Sequence, residues 1–142
     1  RRIALAPEQI LGEGSGWFYL SRAPQQAIGE IVAVEDLGAD RAPAGILAER
    51  LRHWRREREA AVLLPGFRVP KDELDALHRS TPGLTVERYL DWCGCFHTAA
   101  AFGLGALLDQ PPPESRLYIH LNRRPAGHWM LVAARAYAGT TS

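Results

Sequence analysis

A chain of 142 residues is long enough to bury a core without disulfide or metal staples, and a balance of 17 basic against 16 acidic side chains is too even for a dedicated nucleic-acid binder. No apolar run approaches the roughly 18 residues of a membrane span. The opening Arg1-Arg2-Ile3 has neither an initiator methionine nor the apolar stretch of a signal peptide, as expected of a trimmed chain.

From Arg1 to about Gly38 the sequence reads as β structure. Ile3 and Leu5, then Trp17 to Leu20, then Ile28, Ile31, Val32 and Val34 are short β-prone runs separated by turn signals. The stretch Gly12-Glu13-Gly14-Ser15-Gly16 invites a phosphate-loop reading, but it lacks a Gly-Lys-Ser/Thr ending and leads into aromatic residues, so a hairpin turn is expected. A helix is predicted from Ala44 to Val62, with Leu47, Leu51 and Trp54 as its apolar stripe and a mixed array of arginines and glutamates elsewhere. That array reads as a solvated face, or as a basic rim for an anionic ligand such as a nucleotide phosphate. Leu63-Leu64-Pro65-Gly66-Phe67 is expected to break this helix. A second, from Lys71 to Ser80, turns Leu74 and Leu77 inward and ends at Pro82-Gly83.

A long helix is predicted from Thr85, its N-cap, to about Leu108. Val86, Tyr89, Leu90, Cys93, Phe96, Ala100, Leu104 and Leu107 keep helical spacing, and Ala99 to Leu108 is apolar nearly all round, as in a core helix. Cys93 and Cys95 read as small thiols in a reducing, cytoplasmic compartment, because no further ligands stand at zinc spacing. No metal or cofactor is expected. Pro111-Pro112-Pro113 ends the helix, and Ser115 to Tyr137 forms a hairpin. In its first strand Leu117, Ile119 and Leu121 alternate with Tyr118, His120 and Asn122, which places His120 on an exposed or edge-on face. His53 and His78 lie on charged helices and read as solvated.

The apolar helix followed by Leu121-Asn122-Arg123-Arg124-Pro125-Ala126-Gly127-His128-Trp129-Met130-Leu131 resembles the TesB-like (type II) acyl-CoA thioesterases of the hot-dog fold. The resemblance covers Asp91 to about Gly139, with Arg123 standing where the family has a histidine before Arg-Pro. It implies an α+β domain in which a curved antiparallel sheet wraps a long core helix, with residues 44–80 as a helical insertion or linker. The 142 residues then form one such domain, or a piece of a tandem protein. The implied activity is hydrolysis of thioesters of coenzyme A or acyl carrier protein through an activated water.

Asp91 matches the family's water-activating aspartate and Ser115 its hydroxyl residue, and the family's glutamine partner would lie beyond Ser142. Arg123 and Arg124 are candidate contacts for an acyl-CoA phosphate, and His97 is a candidate substrate-binding residue near Asp91. The resemblance also implies a homodimer or pseudo-dimer. Two other readings stay open: a non-catalytic module that binds an acyl or aromatic ligand, and a dehydratase or isomerase on the same fold. No nucleic-acid or membrane partner is expected.

Overall fold

A computed structural model of the chain describes residues 27–39, 41–66, 68–93, 99–108, 110, 112–125 and 127–139. In chain order these form β1 (Gly29–Gly38), α1 (Pro43–Trp54), β2 (Ala60–Pro65), α2 (Lys71–Ser80), β3 (Leu84–Val86), α3 (Leu90–Cys93), α4 (Ala99–Leu108), β4 (Arg116–Arg123) and β5 (Trp129–Ala136). The strands make one sheet in the order β1-β5-β4-β2-β3. β5 is antiparallel to both β1 and β4, whereas β2 runs parallel to both β3 and β4.

The C-terminal hairpin is present as expected. Gly127 takes φ 88°, a value glycine tolerates best. Its N–H donates to the Arg124 carbonyl (2.9 Å), and the Arg124 N–H donates to the His128 carbonyl (2.8 Å), closing the turn. The helix predicted over Lys71–Ser80 is α2, and Ile31, Val32 and Val34 lie in β1. The β-prone runs before residue 27, including Trp17 to Leu20, and the glycine-rich stretch lie outside the described residues.

Several expectations are corrected. The helix foreseen from Ala44 to Val62 stops at Trp54, and Ala60–Pro65 is a strand. Arg55 leaves α1 in an extended conformation and Arg58 sits at φ 60°, so the backbone turns before the next element. The continuous apolar run that follows suits a parallel strand covered on both faces, and Ala61 to Leu64 are all buried. Residues 44–80 are therefore no insertion: they supply β2, which lies between β3 and β4, and the two helices beside it. Thr85 is a strand residue of β3, so helix begins later than expected; of the predicted long helix, α3 and α4 are described, with residues 94–98 outside the described set. A mixed sheet with helices is present, but two of the four pairings among the described residues are parallel, unlike the antiparallel sheet of the hot-dog expectation.

Side-chain alternation sorts the core into two clusters. Leu117, Ile119 and Leu121 of β4, with Ala61 and Leu63 of β2, pack against Leu47 and Leu51 of α1 and Leu77 of α2. Tyr118 of β4 and Val62 and Leu64 of β2 pack instead with Tyr89, Leu90, Leu104 and Leu107, on the side of α3 and α4. The sheet is thus a middle layer with helices on both faces, and each fully buried leucine or isoleucine contributes about 1.5–3 kcal/mol.

Candidate ligand site at the carboxyl ends of the parallel strands

β2, β3 and β4 point their carboxyl ends the same way. From there the chain leaves β2 for α2 on one face and β3 for α3 on the other. Adjacent parallel strands whose connections part to opposite faces open a crevice, the usual ligand position in such sheets.

Gly66 extends the β2–β4 ladder by donating its N–H to the Leu121 carbonyl (2.8 Å). A Cβ on Gly66 would stand 2.5 Å from Asn122 Oδ1, so the glycine is what lets Asn122 come so close. Asn122 Oδ1 accepts the Arg123 N–H at 2.9 Å. The Glu87 N–H donates to the Leu63 carbonyl (2.9 Å), which carries β3's pairing one residue further before α3 begins.

Behind this edge lies a buried polar pair. Tyr89 Oη and His120 Nε2 are 2.9 Å apart, with the rings edge to face at 5.6 Å between centroids. Tyr89 is 2 % and His120 7 % exposed. Burial pulls the His120 imidazole down to a pKa of about 4, so at neutral pH the ring is uncharged. The exposed placement expected for His120 is corrected: its face of β4 is covered by Tyr89 and the apolar cluster around it. The neighbouring β5 held the clue, because Trp129 to Tyr137 is apolar on both faces, which requires cover on both sides of the sheet.

α4 comes close at Gly103, where a Cβ would stand 2.4 Å from Tyr89 Cδ2. Gly103→Ala adds helix propensity of up to ~1 kcal/mol but drives a methyl into a rigid buried ring, a cost of ~1–3 kcal/mol. The clash is expected to win, lowering the midpoint of thermal unfolding. A raised midpoint would refute the close approach of α4 to Tyr89.

The residues expected to form one catalytic site are divided between the two ends of the sheet. Asp91 lies in α3, beyond the carboxyl end of β3, exposed and paired with Arg88 at 3.2 Å. Arg123 ends β4, its guanidinium 5.3 Å from the centroid of the Trp129 ring, a cation–π contact, and Arg124 is exposed in the turn. Ser115 precedes β4 at the opposite end. The pairing of Ala60 with Arg116 sets it level with Glu59, and its hydroxyl donates to Glu59 Oε1 (2.8 Å). Val86 at the end of β3 is level with Ile119, and Ser115 stands four residues before it, so the levels of Asp91 and Ser115 are on the order of 13 Å or more apart. His97 lies outside the described residues.

Ser115 belongs to an ionic network that the sequence reading missed. Arg135 donates from Nε to Glu59 Oε1 (2.6 Å) and from a terminal nitrogen to Glu59 Oε2 (3.2 Å); it also bonds Glu30 and the Trp54 carbonyl. The Arg56 N–H adds a third donor to Glu59 at 3.1 Å. Burial by itself raises the Glu59 carboxyl, but the hydrogen bonds from Arg135, Arg56 and Ser115 outweigh it and hold the group below its ordinary 4.5.

Among the described residues no group of three or more His, Cys, Asp or Glu side chains is placed to hold a metal ion, and no helix is long and apolar enough to cross a membrane. No family model and no curated protein matches the chain. A solved structure titled "AbyA1 - tetronic acid condensing enzyme" is similar at 15 % identity and a TM-score of 0.44, over 67 % of this chain and 31 % of that one. The present chain thus spans about a third of that protein, and a likeness at this level carries no conclusion about fold or function.

Proposed function

We propose that this chain binds an acyl or aromatic thioester at the carboxyl ends of β2, β3 and β4 and does not hydrolyse it. The observation that carries the reading is the position of Ser115, bound to Glu59 at the end of the sheet remote from Asp91. A hydrolytic water needs its base and its orienting hydroxyl within hydrogen-bond reach, and an offset on the order of 13 Å along the strands argues against that. His120 is no substitute base, because an imidazole with a pKa of about 4 has little drive to take a proton at neutral pH.

A binding role suits the same groups. Leu90, Leu104 and Leu107, only partly buried, supply apolar surface beside the Tyr89–His120 pair, and Asn122 adds a polar side chain at the edge, a combination typical of small-ligand sites. Arg123 and Arg124 at the end of β4 offer positive charge for the phosphate of a carrier. The ligand class, and the pairing of two units, rest on the resemblance of the Leu121 to Leu131 stretch to TesB-like thioesterases.

The test is a calorimetric titration with octanoyl- and benzoyl-pantetheine, run alongside a thiol-release assay. Saturable binding with thiol release no faster than the blank is the expected result. Release that Asp91→Asn or Ser115→Ala abolishes would restore the hydrolase, and failure to bind either thioester would remove the binding role.

A further inference from the structure

At the amino ends of the parallel strands, away from the crevice just described, an open groove of about 590 Å³ runs between the C-terminal ends of α1 and α2. Arg52, Arg55 and Arg56 line it against a single carboxylate, Glu57. The hydroxyl residues Ser80 and Thr81 stand on the α2 side, and Leu51 and Pro82 give it an apolar part. All three arginines are exposed.

These arginines are unequally committed. Arg55 donates through Nε to the Glu59 carbonyl, and Arg56 pairs with Glu30 at 3.0 Å. Arg52 enters no ion pair among the described residues. Both helices turn their carbonyl ends toward the groove, and this partial negative charge offsets some of the positive. Arg52 and Arg55 against the single Glu57 still leave the groove positive, which favours an anionic ligand. Planar, multiply donating guanidiniums match the oxygens of a phosphoryl group.

We infer that this groove is a binding site for a phosphate monoester or diphosphate, held chiefly by Arg52 with Arg55. The Leu51 and Pro82 surface would further favour a nucleotide over inorganic phosphate. The site is separate from the proposed thioester crevice and does not depend on it.

The experiment is calorimetry on the full chain at low salt with inorganic phosphate, pyrophosphate, ADP and adenosine 3′,5′-bisphosphate, none of which carries an acyl group. Binding is expected to weaken about tenfold in Arg52→Gln, to tighten severalfold in Glu57→Gln, and to fall with added salt. Arg41→Gln, before the start of α1, serves as the control and leaves it unchanged. Circular dichroism of each variant checks that the fold is kept. Tighter binding of the nucleotides than of pyrophosphate assigns a nucleotide, and equal binding assigns the phosphate group alone. No binding by any probe in the millimolar range, or equal losses in Arg52→Gln and Arg41→Gln, would overturn the site.

Discussion

Arg135→Met is expected to destabilise the chain by about 3–5 kcal/mol, the usual cost of removing one partner from a buried ion pair. Glu59 is 3 % and Arg135 4 % exposed, and their contact is bidentate. Methionine leaves the Glu59 carboxylate out of water with only the Arg56 N–H and the Ser115 hydroxyl as donors, and it strips the Trp54 carbonyl of its guanidinium. Removing both charges costs less than removing one, because no unpaired ion remains. The double variant Glu59→Gln/Arg135→Met should therefore recover part of the loss. Urea unfolding of the wild type, both single variants and the double variant measures this. A loss below about 1 kcal/mol in Arg135→Met, the range of exposed pairs, would mean that the network is solvated.

The second large effect is an acid transition centred on His120. Its folded pKa, about 4, lies below the ordinary 6.5, so between those values the unfolded chain binds a proton that the folded one refuses. The neutral ring's contribution is complete above pH 6.5 and is lost as pH falls toward 4. The difference of some 2.5 units corresponds to ~3 kcal/mol. Glu59 acts in a lower window: its folded pKa is below 4.5, so its contribution is present above 4.5 and lost as pH drops through the folded value. Stability measured by urea unfolding should fall from pH 6.5 downward in the wild type. In His120→Gln the slope between pH 6.5 and 4.5 should flatten. An unchanged slope in that variant would show that His120 titrates normally and is not buried.

What the sequence disclosed follows from which signals are local. The hairpin was legible because Leu117, Ile119 and Leu121 alternate and the Pro125 to Gly127 turn has its own chemistry. α2 was legible from Leu74 and Leu77 and the Pro82-Gly83 stop. β2 was not: Ala60 to Leu64 carries no alternation, and a short apolar run buried on both faces cannot be told from a helix end by period alone. β3 was hidden for a related reason. Leu84-Thr85-Val86 is three residues long, and its strand state depends on its pairing with Ala61 to Leu63, which no local signal announces.

The site was legible in pieces. Asp91, Arg123 and Arg124 do share the carboxyl end of the sheet, but Ser115 was joined to Asp91 by the family resemblance, which carries no information on the strand directions of this sheet. Once β4 runs parallel to β2, its entrance and its exit lie at opposite ends, and Ser115 goes with Glu59. The Glu59–Arg135 pair spans 76 positions, and the Tyr89–His120 pair joins a loop to a strand 31 positions away. Neither has a spacing that a motif could record.

The most direct test of the binding site is the imidazole ¹⁵N spectrum of the histidine-labelled chain at pH 7 during titration with octanoyl-pantetheine. One ring, assigned to His120 by its loss in His120→Gln, is expected to be neutral before ligand is added and to shift to saturation with it. Shifts confined to other histidines, or a His120 signal that never moves while the thioester binds, would place the ligand elsewhere and contradict the assignment of the crevice.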